Sequence, residues 1–249
     1  MKEDTRWKLT IATILVTLSL TLYTVNFLIF HNAQNVLLLM LNGLAFLPIE
    51  VLVVTIIIDQ LLAARDLQQK MEKLNMVIGI FFSHLGTPLL STLAQGDPES
   101  AKLSERLGSK STLESHRSIL LAYKSGNPPP LGIDRERIDL VALKEFLNGQ
   151  EDFLVRLVEN PMVFEHESFT DLILAVDHLS QELKARPGFS ELPPSDEAHL
   201  TGDIRRVYAL LVPEWIKYMD YLRTHYPYLH SLALRTNPFD TTTSAIVQQ

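Results

Sequence analysis

The chain has 249 residues with no cysteine, and 22 Lys+Arg against 29 Asp+Glu give a formal net charge of -7. Only seven charged residues lie in the first 60 positions (Lys2, Glu3, Asp4, Arg6, Lys8, Glu50 and Asp59), so an apolar N-terminal part precedes an acidic, water-compatible remainder. On this reading a purely soluble chain, a basic nucleic-acid binder and a disulfide-stapled secreted domain are excluded, as are thiolate metal sites and thiol nucleophiles.

Leu9 to Phe30 contains no formal charge. At about 1.5 Å per residue it reaches roughly 33 Å, enough to cross a bilayer core. Val36 to Ile58 is a second apolar run with one charge, Glu50, and only residues 31–35 lie between the two. The pattern predicts an antiparallel transmembrane hairpin over 9–30 and 36–58. A cleaved signal peptide fits the first run less well, because the apolar stretch is long and no small-x-small cleavage site follows. Lys2, Arg6 and Lys8 before the first run and Arg65, Lys70 and Lys73 after the second place both termini in the cytoplasm of an inner-membrane protein.

Glu50, two residues after Pro48, is a costly group inside an apolar span and hence a functional candidate. In an antiparallel hairpin it falls level with Val16 and Thr17, and Asn42 falls level with Thr24. Thr17 is thereby expected to hydrogen-bond Glu50, and Asn42 to bond Thr24 or Asn26. The reading favoured for these groups is cohesion of the hairpin or an oligomer rather than conduction, since two helices cannot enclose a pore.

Beyond Asp59 the apolar positions Ala64, Leu67, Met71, Leu74, Ile78, Phe81 and Leu85 alternate three and four apart, a coiled-coil-like seam on a helix leaving the membrane. Either the domain's own helices or a second copy would cover it, with self-packing favoured. The run from Leu74 to Ala94 is too short and too interrupted by Gly79, Gly86 and Pro88 for a third span, and is expected to be buried in the domain.

Ser83-His84-Leu85-Gly86-Thr87-Pro88-Leu89 is a local look-alike of the sensor histidine kinase phospho-acceptor box. The acidic residue expected after His84 is missing, Gly86 stands where that family has Arg, and the chain has no Gly-x-Gly for a nucleotide domain. Phosphotransfer is therefore set aside. A broader resemblance is carried by Glu72 to Phe82, by Glu159-Asn160-Pro161 with His166 to Leu172, and by Tyr226-Pro227-Tyr228. Through these stretches the chain is similar to uncharacterised prokaryotic membrane proteins with two N-terminal spans and a helical cytoplasmic domain. The resemblance implies architecture and location and supplies no catalytic residues.

The remainder reads as helices between breakers. Asp97-Pro98 opens one to Leu107, and Ser111 to Lys124 forms the next, stopped by Ser125-Gly126-Asn127 and the triple proline 128–130. Asp139 caps a helix to Leu147, and Glu151 to Val158 is another. Glu167 to Arg186 buries Phe169, Leu172, Ile173, Val176, Leu179 and Leu183, and a long helix from Ser195 runs past Pro213. Strand-like alternation is nearly absent. The expected organisation is all-α: an anchor over 1–58, a juxtamembrane helix and buried apolar segment over 59–95, a cytoplasmic domain over 96–240 and a mobile tail over 241–249.

Chemistry is sparse. Glu167, Asp171, His178 and Glu182 share a helix face and are the metal or acid/base candidates, yet no Glu-x-x-His, His-Glu-x-x-His or Gly-x-Ser-x-Gly occurs. A solvated face is the favoured reading, with no metal and no cofactor. Trp215, Tyr218, Tyr221, Tyr226 and Tyr228 crowd together and are the partner-surface candidates, with core packing that leaves their hydroxyls at the rim as the favoured reading. The expected function is a non-enzymatic, membrane-anchored scaffold or signalling adaptor. Its partners would be the lipid bilayer and a protein or a second copy, with no nucleic acid. The alternatives are a membrane-bound enzyme using the 167–186 face, or a transport subunit using Glu50.

Overall fold

The computed structural model describes residues 2–107, 113–240 and Ile246. The proposed start of a helix at Ser111 and the tail from Thr241, Ile246 apart, lie outside these residues. All regular structure among the described residues is helical, and the chain divides into two units, Met1–Leu67 and Gln68–Gln249, with the division falling inside one long helix.

The first unit is built from α1 (Lys2–Phe30) and the first part of α2 (Ala33–Phe81). The turn between them is two residues rather than five. His31 adopts a φ of 49°, and the Asn32 side chain accepts from the backbone N–H of Gln34 and Asn35 at 3.0 and 3.2 Å, so a capping residue starts α2 immediately. Both helices are, by length and composition, long and apolar enough to cross a membrane, and their most apolar stretches are not buried.

The side-chain pairing expected across this hairpin is not formed. The hydroxyls of Thr17, Thr21 and Thr24 each donate to the carbonyl four residues back, all at 2.8 Å, while Glu50 and Asn42 are exposed. A carbonyl of the hydroxyl's own helix is always within reach, and it wins over a partner that must be brought from another element.

In the second unit α2 ends at Phe81 and a π-helical turn, Phe82–Gly86, leads into α3 (Thr87–Gln95). A side chain at position 86 would put its Cβ 2.6 Å from Phe82 and 2.7 Å from Phe81, so glycine is required where these two rings pack edge to face. From Leu74 onward the seam predicted on α2 is buried in the unit's own core, through Ile78, Phe81 and Leu85. Over that stretch the 3.5-residue rhythm reports self-packing, whereas Leu67 is exposed.

The helices that follow are α4 (Ser100–Leu107), α5 (Leu113–Lys124), α6 (Leu140–Asn148), α7 (Glu151–Val158), α8 (Glu167–Ala185), α9 (Pro194–His225) and α10 (Pro227–Arg235). α6 starts as predicted, with Asp139 accepting from Val141 and Ala142. α4 begins three residues after Asp97, because Pro98 and Glu99 form a turn first. The centre of the unit is α8 packed on α9. α6 and α7 cover α8, and α3, α5 and α10 cover α9. The stripe predicted on α8 is buried, and α9 keeps its helix through Pro213. α9 stops at Tyr226, which precedes a proline and is driven to φ −138°, ψ 68°; Pro227 then starts the separate α10.

Candidate functional site

Trp215, Tyr218, Tyr221 and Tyr226, four of the five aromatic residues expected to form a partner surface, line one apolar groove of about 710 Å³, while Tyr228 is 71% exposed. The groove lies wholly within the second unit. One wall is the end of α2, with Met76 and Ile80, and the other is α10, with Leu229 and Leu232; all four are exposed. Trp215 forms part of the lining while its indole is buried and meets Phe239 edge to face at 5.3 Å. Phe82 stacks on Tyr218 at 4.9 Å. Burial raises the Tyr218 hydroxyl above its ordinary pKa, and burial followed by the hydrogen bond to Tyr226 does the same for Tyr221, so both remain neutral hydroxyls. His84 sits at the edge of the groove, its ring 5.8 Å from that of Phe153.

A second cluster lies at the α8–α9 junction. His178 and Glu182 are joined by His199 and Asp203 of α9, and each of the four offers a ligand atom within 4.8 Å of the others. Glu167 and Asp171 are exposed and do not take part. They lie about 16 and 10 Å along the helix from His178, too far to share an ion with it. The single-helix face expected from spacing is thus corrected to a pair from each of two helices.

Besides Asp203, two further carboxylates are buried that the sequence did not single out as such. Glu214, 2% exposed, accepts from Ser168 at 2.7 Å and from Lys217 at 2.6 Å. Asp97, 1% exposed, accepts from the Tyr208 hydroxyl at 3.1 Å and from the Glu99 amide at 2.9 Å. Burial, then the neighbouring Asp97 charge, raises the Tyr208 pKa. Ser168 donates to the Glu214 carboxylate and receives from the Lys217 ammonium at 3.1 Å, and His166 Nδ1 lies 3.3 Å from the same hydroxyl.

A family model described as the C-terminal helical domain of uncharacterized protein MJ1433 matches residues 70–235, and one described as the MJ1433 N-terminal helical domain matches residues 2–62. The chain belongs to the MJ1433 family. It is 45% identical over 242 residues to "Uncharacterized protein MJ1433" of Methanocaldococcus jannaschii, which covers 96% of this chain and 95% of that protein. No solved structure matches. The gap between the two family matches brackets the division between Leu67 and Gln68.

Within the part matched by the MJ1433 C-terminal domain, Arg186 ties the end of α8 to the start of α9. It donates to both oxygens of Asp196, at 2.6 and 2.8 Å, and to Glu182 Oε2 at 2.7 Å. These hydrogen bonds lower the pKa of Glu182 and of Asp196. A carboxylate whose folded pKa is depressed stabilises the fold above its unfolded pKa and loses that contribution as the pH falls through the folded value. Denaturation midpoints of the second unit are therefore expected to fall as the pH is lowered through about 4 and below. Arg186→Met should start lower and show a shallower acid decline. An identical acid slope in both proteins would show that this junction does not contribute to it.

Proposed function

We propose that this chain is a membrane-anchored adaptor whose cytoplasmic helical unit receives an apolar helical segment of a protein partner in the Trp215–Tyr226 groove. The anchoring is supported by two long, uncovered apolar helices near the N-terminus and by basic residues on their outer flanks. The observation that carries the docking reading is the spacing of the exposed apolar residues on the two walls. Met76 and Ile80 are four apart on α2, and Leu229 and Leu232 are three apart on α10. Ridges at these intervals accept the ridges of a third helix, so a helical segment lying along the groove fits it. Met76 adapts to the surface it meets, and the neutral tyrosine hydroxyls provide a polar rim.

Affinity capture of the full chain from solubilised membranes, combined with a photo-cross-linking residue at position 232, tests this. A stoichiometric protein cross-linked through the groove is expected, and Leu232→Glu should weaken its retention by at least about 30-fold, the effect of a charge placed among central contacts. Cross-linking of one copy to another would make a second copy the occupant. A bare monomer, or retention unaffected by Leu232→Glu, would overturn the groove as the docking site.

A further inference from the structure

α8 and α9 each carry a histidine followed four residues later by a carboxylate: His178-x-x-x-Glu182 and His199-x-x-x-Asp203. Positions four apart share a helix face, and the packing of α8 on α9 brings the two pairs together. His199 Nε2 is 3.4 Å and His178 Nε2 is 3.6 Å from Asp203 Oδ2. His178 Nε2 lies 3.8 Å from Glu182 Oε1, and His199 Nε2 lies 3.8 Å from Glu182 Oε2. Tetrahedral coordination with arms of about 2.1 Å spaces its ligand atoms roughly 3.4 Å apart. The two histidine–Asp203 separations are already close to that, and the remaining ligand atoms, all within 4.8 Å of one another, would draw in by at most roughly 1.4 Å to surround one ion.

Independently of this clustering, Asp203 is 4% exposed and its Oδ2, the oxygen facing both imidazoles, is buried without a hydrogen-bond partner. A carboxylate oxygen so placed is costly unless a cation compensates it. The arginines nearby leave that role open. Arg206 Nη1 lies 3.4 Å from Asp203 Oδ1, and Arg186 occupies Glu182 Oε2 while also bonding Asp196. Asp203 is thereby fixed through Oδ1 with Oδ2 turned toward both histidines, and Glu182 is fixed through Oε2 with Oε1 beside His178, the outer support that metal ligands characteristically receive. Counting Glu182, Asp196 and Asp203 against Arg186 and Arg206, with neutral imidazoles, the surroundings remain net negative. The histidine side chains are 45% and 54% exposed, which gives an ion a way in.

We propose that His178, Glu182, His199 and Asp203 form a divalent transition-metal site, with zinc the ion its donors fit. Two imidazole nitrogens disfavour calcium and magnesium, which take oxygen ligands, and four protein ligands make a closed site of the structural kind. The bound ion clips the C-terminal half of α8 to the N-terminal half of α9 across the 186–193 connection.

The test uses the full-length chain without a histidine tag, solubilised in detergent and stripped of metal, with Zn2+ alone as the probe at neutral pH. Equilibrium dialysis should give about one tightly held ion per chain, Co2+ should show the intense visible absorption of tetrahedral coordination, and Zn2+ should slow hydrogen exchange at the facing ends of α8 and α9. His199→Ala, at a half-exposed position, and the nearly isosteric Asp203→Asn should each weaken Zn2+ binding by at least about 100-fold. His84→Ala, outside the cluster, should leave binding unchanged. Failure of the wild-type chain to bind Zn2+ stoichiometrically would overturn the site, leaving the four residues as an ionic cluster. Wild-type binding in the His178→Ala/His199→Ala double variant would overturn it equally. Neither result depends on whether the aromatic groove binds a partner.

Discussion

Replacing Trp215 by alanine is expected to destabilise the second unit by about 3–5 kcal/mol, the usual cost of deleting a large buried aromatic side chain. Trp215 is 1% exposed and among the largest fully buried side chains of the chain. The loss does not stop at its own cavity. Its edge-to-face contact holds Phe239, and the same C-terminal stretch is anchored where Asn237 donates to the Leu107 carbonyl at 2.8 Å and accepts from the Phe239 amide at 3.0 Å. Removing the indole withdraws the apolar support of that anchor and enlarges the groove from below. Trp215→Phe keeps a ring against Phe239 and should cost about half as much. Hydrogen exchange of the α8 and α9 amides measures the effect on this unit alone, because the most protected amides report its global opening. Leu232→Glu, at an exposed position, should leave that exchange within about 0.5 kcal/mol of wild type. A Trp215→Ala cost below about 1 kcal/mol would show that the ring belongs to the groove surface rather than to the core. Equal losses from Trp215→Ala and Leu232→Glu would undo the separation between core and groove.

The contrast between those two positions marks what the sequence could disclose. Helical periodicity assigned Leu172, Val176 and Leu183 to a buried stripe, because a 3.6-residue repeat depends only on which side of one helix faces the core. The aromatic concentration around Trp215 was also visible, as was core packing with hydroxyls at the rim, but the walls of the groove that these residues line were not. One of those walls is α10, whose separate existence hinges on the proline after Tyr226. The acidic and histidine candidates show the limit more sharply. Spacing along α8 joined His178 and Glu182 to Glu167 and Asp171, which share their face but not their neighbourhood. The true neighbours, His199 and Asp203, come from another helix. The signal that could have found them was the repeat of a histidine and a carboxylate four apart on two consecutive helices, rather than a search for every ligand on one. In the N-terminal hairpin, register arithmetic paired Thr17 with Glu50 but omitted the helix's own carbonyls, which take the hydroxyl.

Lys217→Met should cost about 3–5 kcal/mol, although Lys217 itself is 40% exposed. The cost arises at its partner. The Glu214 side chain is 3% exposed, and its Oε1 accepts from both Lys217 and Ser168. Without the ammonium, a buried carboxylate keeps a single neutral donor, and breaking a buried pair from one side is far more damaging than never having had it. The partial exposure of Lys217 limits what its charge contributes across solvent, which places the expected value toward the lower end of the range. Adding Glu214→Gln to Lys217→Met removes the uncompensated charge while keeping an acceptor for Ser168, and should recover more than half of the loss. Glu214→Leu with Lys217→Met should approach wild-type stability if the apolar side chain fills the same space between α8 and α9. Chemical denaturation of these proteins and of the Glu214→Gln and Glu214→Leu single variants, followed by hydrogen exchange of α8 and α9, closes the double-mutant cycles and yields the coupling energy. Additive losses in the double variants would mean that the pair is solvated and its members act separately. Strong rescue would establish that Glu214 is tolerated in the core because Lys217 and Ser168 hold it there, so that this polar contact fixes where the first turn of α8 meets α9 without adding to the stability of the fold.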